Sequence, residues 1–313
     1  VMPTQGRTVD ETVRFFFILI SIGGIRMRYK QVKRGVFLAR PNRFIAHVEV
    51  DGSMEVVHVK NTGRCRELLV PGAVVYLEKT DQPKRKTQFD LIAVEKGPLL
   101  INMDSQAPNQ VFGEWAKAGK WVPGLALLKP ETKFGHSRFD FYWEAAEGGS
   151  TKRRGFVEVK GVTLEENGVV LFPDAPTERG VKHIEELIAC HAAGYEAALC
   201  FVVQMEGMRC FRPNDRTHPA FGEALRLARE AGVQIFAREC RISQDSLKLA
   251  GDIPVEVWGG GGRQDGTGNG TGMEGPAEAH SLGRGPGPER CARPAGVRRS
   301  ASGCDGPPPA DSI

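Results

Sequence analysis

The feature that most constrains the fold is a series of short segments in which apolar and polar residues alternate, each bounded by a turn signal. Alternation at period two is typical of strands with one buried face, and Gly, Pro, Asn and Asp separate the segments. Other small β-barrels fit this spacing, but a five-stranded OB-like β-barrel is the simplest choice. The predicted strands are Gly35–Ala39, Arg43–Val50, Glu55–Val59, Val74–Glu78 and Phe89–Lys96.

The next part of the chain alternates predicted strands with predicted helices. A short helix is expected at Asn109–Ala118, and the almost wholly apolar segment Ala197–Gln204 predicts a central strand that is covered on both faces. This order predicts an α/β domain with a mixed sheet, and the whole chain is thus an α+β protein of two domains. The remaining predicted elements are strands at Arg138–Glu144, Gly155–Gly161, Val169–Phe172 and Val233–Arg238, and helices at Glu178–Ala193 and Ala220–Ala231.

Composition divides the chain into four parts. Residues 1–26 are expected to be an extension outside the fold, and their apolar run Phe15–Ile22 is far shorter than the roughly 20 residues of a membrane span. Residues 27–112 form the predicted barrel domain and residues 113–257 the α/β domain. Residues 258–313 are rich in Gly and Pro, which predicts a disordered tail because so few apolar side chains cannot offset the entropy of ordering.

Charge and cysteine usage limit the class of protein. The net charge is +4, but residues 27–97 contain 14 Lys or Arg against eight Asp or Glu, which favours a polyanionic partner or a solvated basic surface. The seven cysteines form no C-x-x-C pair and no zinc-ligand spacing. This pattern predicts reduced thiols, a cytoplasmic protein and no membrane association.

Two charged strands carry the candidate chemistry. Glu158 and Lys160 are two residues apart in Gly155–Gly161, so they share one face of a strand while Val157 and Val159 share the other. Asp140 lies on the preceding strand, between two phenylalanines. Two carboxylates and a lysine on neighbouring strands predict a metal-dependent phosphodiester-cleaving site, in which Asp140 and Glu158 bind Mg²⁺ or Mn²⁺ and Lys160 orients a water or stabilises developing negative charge. A solvated strand of alternating charges is the competing interpretation.

The helix that follows adds candidates for phosphate binding. Arg179, Lys182 and His183 are predicted on its non-apolar side, where they suit a DNA backbone. A surface role for His183, next to Glu186, is an equal alternative. Asp174 fits a third acid at the site or a residue that forms a turn or caps the helix.

The longer runs around these residues resemble the sugar fermentation stimulation protein A family. The resemblance covers about residues 27–257, and its motifs are Ser137–Phe141, Val157–Leu164, Phe172–His183 and Asn61–Arg64. It implies an OB-fold domain, a second domain similar to the PD-(D/E)xK nucleases, DNA binding with little sequence preference, and a link to the regulation of sugar (maltose) metabolism. Carried onto this sequence, the nuclease motif falls on Asp140, Glu158 and Lys160, and Asn61 and Arg64 become candidate nucleic-acid contacts.

Three functions follow as hypotheses. The first is a Mg²⁺- or Mn²⁺-dependent DNA nuclease, and the second is a non-catalytic DNA-binding regulator that keeps the nuclease-like fold as a scaffold. A carbohydrate-acting enzyme with Asp140 and Glu158 as paired carboxylates has little support, because Lys160 would have no role. DNA is the predicted partner; the sequence predicts no protein partner and leaves self-association open.

Overall fold

The structure is a computed structural model that describes residues 27–61, 63–82, 84–147 and 151–257. The predicted extension of residues 1–26 and the predicted tail of residues 258–313 lie outside the described residues. Within the described part of the chain, no helix has both the length and the apolar character needed to cross a membrane.

The first part of the chain closes into a five-stranded barrel, as predicted. Hydrogen bonding follows the order β4-β3-β2-β5-β6, and a parallel pairing of β4 with β6 closes the ring. A sixth strand, β7, pairs with β6 as an antiparallel hairpin. The strands are β2 Val32–Asn42, β3 Ile45–Val50, β4 Ser53–Val59, β5 Val74–Lys79, β6 Phe89–Lys96 and β7 Leu99–Asn102.

The second part is built on a mixed seven-stranded sheet. Its order is β1-β16-β15-β13-β10-β9-β8, with β10, β13 and β15 parallel and the other pairs antiparallel. A small sheet of β11, β12 and β14 lies beside it. The strands are β1 Met27–Arg28, β8 Leu125–Phe134, β9 Ser137–Glu147, β10 Thr151–Val162, β11 Leu164–Glu166, β12 Val169–Phe172, β13 Glu196–Val203, β14 Cys210–Pro213, β15 Gln234–Ser243 and β16 Ser246–Ile253.

Helices cover both faces of the large sheet. Helix α1, Ala107–Trp115, continues into a π-helical turn at Ala116–Lys120 and packs on the face that contains Val157 and Val159. Helices α2, Glu178–Ala192, and α3, Pro219–Glu230, pack on the opposite face. The central strand β13 is buried along almost its whole length, which confirms the sequence prediction of a strand covered on both faces.

The ends of α2 follow from local sequence. The Thr177 hydroxyl accepts a hydrogen bond from the Gly180 N–H at 3.0 Å and caps the first turn. The helix stops before Gly194, whose φ of 84° is the left-handed conformation that glycine adopts after a helix. The predicted domain division after residue 112 falls inside α1, whose buried residues pack on the second sheet.

Candidate active site and nucleic-acid surface

The candidate site begins where strands β9 and β10 separate. Their antiparallel ladder ends at the pair Phe141 and Val157, although β10 remains paired with β13 as far as Val162. At this point Asp140 Oδ2 accepts a hydrogen bond from the Val159 N–H at 2.7 Å. The carboxylate thus accepts the hydrogen bond that a backbone carbonyl of β9 would accept if the ladder continued. The separation of the two strands places Asp140 beside Glu158.

Glu158 is the most buried charged group of the site. Lys160 Nζ and His183 Nδ1 both lie 2.5 Å from its Oε1 atom, which confirms that Glu158 and Lys160 share one face. The other oxygen, Oε2, is buried without a hydrogen-bond partner. Leaving a buried acceptor unpaired costs about 1–3 kcal/mol, so this oxygen lowers the stability of the protein when no ligand pairs with it.

The two acids have opposite pKa shifts. Burial, together with the negative charge of Glu158, raises the pKa of Asp140 to about 6 even though Asn109 Nδ2 donates to its Oδ1 at 2.7 Å. Burial also acts to raise the pKa of Glu158, but the hydrogen bond from His183 and the charge of Lys160 bring that pKa below its ordinary value. The charge of Lys160 therefore offsets burial only in part at Asp140, whereas at Glu158 Lys160 and His183 together outweigh it.

Helix α2 differs from the prediction at one residue. Arg179 and Lys182 are exposed as expected, but His183 is buried and contacts Glu158, so its placement on the non-apolar side is wrong. The signal was present in the spacing, because His183, Leu187 and Cys190 recur at i, i+4 and i+7 on the buried face. Arg179 Nε lies 3.2 Å from His183 Nε2 and reaches the site from outside.

The barrel loop that contains Asn61 and Arg64 contacts the second part of the chain. The Arg64 N–H donates to Asp174 Oδ2 at 3.1 Å, so Asp174 joins the loop to the segment before α2 rather than contacting the two site acids. Asn61 Oδ1 accepts from the Gly63 N–H at 2.8 Å and shapes the loop, while the Arg64 side chain is exposed. Nucleic-acid contacts of Asn61 and Arg64 remain predictions.

Arg40, which sequence reasoning missed, holds this loop in place. Its guanidinium donates to the carbonyl oxygens of four residues at 2.8–3.0 Å, and no motif marks an arginine for that role. The four carbonyls belong to two separate turns, so one side chain joins the hairpin β2–β3 to the Arg64 loop. They are those of Asn61, Gly63, Arg64 and Arg43.

Apolar side chains are exposed at the turn between β2 and β3 and along β4. Phe44, Met54 and Val56 are 43%, 61% and 42% exposed, and the guanidinium of Arg43 lies 4.7 Å from the Phe44 ring centre. Val56 is paired with His47 across β3 and β4. We call Arg43, Phe44, His47, Met54 and Val56 the barrel face.

A second buried polar cluster joins the two parts of the chain, and we call it the junction network. Asp104 accepts from Lys60 Nζ at 2.6 Å through Oδ2 and from the Gln106 N–H at 2.9 Å through Oδ1. Gln204 Nε2 donates to Asn102 Oδ1 at 2.8 Å and to the Asp104 carbonyl at 3.0 Å. The network consists of Tyr29, Lys60, Asn102, Asp104 and Gln204, and none of their side chains has a buried polar atom without a partner.

The residues of the candidate site suit a divalent cation. A buried carboxylate oxygen without a partner and a neighbouring acid with a raised pKa are the features that a bound cation would relieve. Among the residues described, no three or more His, Cys, Asp or Glu side chains are grouped to hold a metal. The candidate protein ligands are therefore Asp140 and Glu158, and Mg²⁺ commonly binds to one or two carboxylates and keeps several waters.

Comparison with known proteins gives consistent matches. The family model of the SfsA N-terminal OB domain matches residues 38–103, and that of the sugar fermentation stimulation protein RE domain matches residues 106–246. A sugar fermentation stimulation protein homolog of Desulfitobacterium hafniense is 56% identical over 231 residues, which are 74% of this chain and 99% of that protein. A homolog of Ruminiclostridium cellulolyticum is 52% identical over 231 residues, 74% of this chain and all of the homolog.

A solved structure has the same fold. The structure of Pyrococcus furiosus SfsA in complex with Ca²⁺ matches with a TM-score of 0.67 and 28% sequence identity. The match covers 74% of this chain and 99% of that one.

Proposed function

This chain belongs to the sugar fermentation stimulation protein family, and from the geometry of its site we propose that it is a DNA-binding protein that cleaves phosphodiester bonds with the help of Mg²⁺ or Mn²⁺. One observation carries the proposal. The buried Glu158 Oε2 has no partner, and the Glu158 carboxylate interacts with Asp140, whose pKa is raised to about 6. A scaffold without ligands gains nothing from this arrangement, because both features oppose folding. The Ca²⁺ named for Pyrococcus furiosus SfsA supports a cation site in this family.

Each residue then has a defined task. Asp140 and Glu158 would hold the cation, which supplies charge stabilisation and an acidified water when it is bound. Lys160 is about one-sixth exposed and contacts Glu158, so its ammonium can turn from that carboxylate to a phosphate oxygen as negative charge develops. Asn109 holds Asp140 through Oδ1, and the Val159 N–H holds it through Oδ2, so the carboxylate is oriented before substrate arrives.

The barrel provides the main DNA-binding surface. Exposed Arg64 suits phosphate oxygens, and the barrel face offers Phe44, with Arg43 beside it, as a surface on which a base can stack. Arg179 and Lys182 extend the positive surface to the edge of the candidate site. DNA that contacts the Arg64 loop and α2 together would pass near Glu158, because Asp174 joins the loop to the segment before α2 and His183 of α2 contacts Glu158.

Nicking of supercoiled plasmid tests the proposal. Purified full-length protein is incubated with Mg²⁺ or Mn²⁺, beside EDTA, Glu158→Gln and the matched control Glu166→Gln, whose acid is exposed and paired with Arg216. We expect nicking that requires the cation, is lost in Glu158→Gln and persists in Glu166→Gln. Plasmid that is shifted on a gel but never cut would instead favour a non-catalytic DNA-binding regulator.

A further inference from the structure

His183 is a buried side chain to which the proposed reaction gives no task. It lies on the inner face of α2, with one ring nitrogen against Glu158 and the other against Arg179. Its place on the helix is fixed by Leu187 and Cys190, which are buried on the same face. Because both ring nitrogens are paired, the orientation of the imidazole is set by Glu158 on one side and Arg179 on the other.

The proton on the ring can be assigned from its partners. The Arg179 guanidinium is always charged and has only donors, so His183 Nε2 at 3.2 Å must accept from Arg179 Nε. A nitrogen that accepts has no proton, and the proton of the neutral ring therefore lies on Nδ1. Nδ1 is 2.5 Å from Glu158 Oε1 and donates to it. Arg179, His183 and Glu158 thus form one directed chain of hydrogen bonds.

This series of hydrogen bonds determines which oxygen of Glu158 is available to a cation. Lys160 Nζ also donates to Oε1, so both donors hold the same oxygen and the carboxylate cannot rotate without losing one of them. Oε2 is left without a partner. When Lys160 turns to a substrate phosphate, His183 is the remaining donor that keeps Glu158 oriented.

We propose that His183 is a positioning residue that holds Glu158 by one oxygen so that the other can bind a divalent cation, and that Arg179 keeps the imidazole in the required tautomer. The inference rests on the proposed cation-dependent function. It also gives Arg179 a second role, because a phosphate that binds the outer nitrogens of its guanidinium leaves Nε on His183. Residues that orient a metal ligand from behind typically change metal affinity about 10–100-fold when they are removed.

Substitutions separate this role from simple packing. His183→Asn keeps an amide nitrogen near the position of Nδ1, whereas His183→Ala removes the donor. His191→Ala is the matched control, because His191 lies two turns further along α2 and contacts the Tyr195 carbonyl rather than the site. Each full-length variant is first checked for a native-like unfolding transition.

Two readouts test the proposal. Nitrogen-15 spectra of the imidazoles, assigned with His183→Asn, should show His183 as the neutral Nδ1–H tautomer; an Nε2–H or charged ring would overturn the hydrogen-bond chain with or without a metal. Calorimetric titration with Mn²⁺ should show affinity about tenfold or more weaker in His183→Ala, within about threefold of wild type in His183→Asn and unchanged in His191→Ala.

The outcomes distinguish the two proposals. A wild type that binds Mn²⁺ and a His183→Ala variant that binds it equally well would overturn the positioning role and leave the proposed function standing. A wild type that binds no Mn²⁺ would overturn the proposed function together with this role. If His183→Asn lost as much Mn²⁺ affinity as His183→Ala, the claim that His183 acts by donating a hydrogen bond to Glu158 would be overturned.

Discussion

The junction network and the candidate site are two buried polar clusters that differ in how fully their atoms are paired. In the junction network, Asp104 accepts hydrogen bonds through both oxygens, and Asn102 and Gln204 are bonded to each other and to the backbone. At the candidate site, Glu158 Oε2 has no partner and Asp140 has a raised pKa. Both clusters are charged and largely hidden from water, yet only one is satisfied without a ligand.

This difference separates a structural cluster from a functional one. Buried polar groups that are fully paired stabilise one arrangement of the chain, and the junction network joins the end of β7 to the end of β13. Buried groups that remain unpaired cost stability, and a ligand that pairs with them offsets that cost. The acids at Asp140 and Glu158 are therefore interpreted as a binding site and Asp104 as part of the framework.

The largest effect is expected at the junction network. Asp104→Ala removes the partner of Lys60 and leaves its charge partly buried, so we expect the free energy of unfolding to fall by about 3–5 kcal/mol. Equilibrium unfolding in urea measures this change in the free energy of unfolding. Glu166→Ala is the control, because the Arg216–Glu166 ion pair is exposed and its loss should change stability by less than about 1 kcal/mol. Equal effects of the two substitutions would show that the network does not stabilise the fold.

A stabilising substitution is expected at the candidate site. Because the pKa of Asp140 is about 6 in the folded protein, above its ordinary value of 3.8, the folded state binds this proton more tightly than the unfolded state. Stability from this residue is highest below pH 4 and falls as the pH rises to about 6. In Asp140→Asn, the side-chain amide of Asn109 can flip so that its oxygen accepts a hydrogen bond from the new amide nitrogen. This substitution should therefore stabilise the metal-free protein at pH 8 by about 1–3 kcal/mol.

Thermal unfolding at pH 8 and pH 4 without divalent cations checks this prediction. The gain of Asp140→Asn over wild type should disappear near pH 4, where the wild-type carboxyl is protonated as well. Glu158→Gln should behave in the opposite way at pH 8 and destabilise, because the pKa of Glu158 is lowered by His183 and Lys160. An Asp140→Asn variant that is less stable than wild type at pH 8 would contradict the comparison of the two clusters.

The smallest effect is expected at the barrel loop. Arg64 is exposed and its backbone N–H, not its side chain, joins Asp174, so Arg64→Ala should leave stability within about 0.5 kcal/mol of wild type. Loss of one phosphate contact should reduce the slope of log affinity against log salt by about one unit. Fluorescence anisotropy at several salt concentrations measures the slope. Lys248→Ala, on β16 and three strands from β10, serves as the control, and an unchanged slope in Arg64→Ala would remove that arginine from the contacts.

The sequence predicted elements whose burial pattern is regular. Apolar and polar residues alternate along much of the five barrel strands, and the central strand β13 is almost wholly apolar because both of its faces are covered. Strand β8 was missed because it is mostly exposed and contains Pro130 with Glu131 at a positive φ of 52°, features that an edge strand tolerates. Strand β16 was missed for a similar reason, since Lys248, Gly251 and Asp252 interrupt its apolar residues.

The candidate site was predicted in its residue types but not in its geometry. Spacing along β10 placed Glu158 and Lys160 together, because side chains two residues apart share a face. The insertion of Asp140 opposite the Val159 N–H depends on where the ladder of β9 and β10 ends, and residue spacing carries no record of that register. The role of Arg40 depends on two turns meeting in space, which likewise leaves no local pattern.

The central claim is that Asp140 and the unpaired Oε2 atom of Glu158 bind a divalent cation, and thermal unfolding with and without Mn²⁺ tests it most directly. At 100 times its dissociation constant, a cation that binds only the folded state should stabilise wild type by about 2.7 kcal/mol. Glu158→Gln should lose this gain, whereas Asp104→Asn, although less stable, should keep it. A wild type whose unfolding is unchanged by Mn²⁺, or a Glu158→Gln variant that gains as much as wild type, would contradict the account.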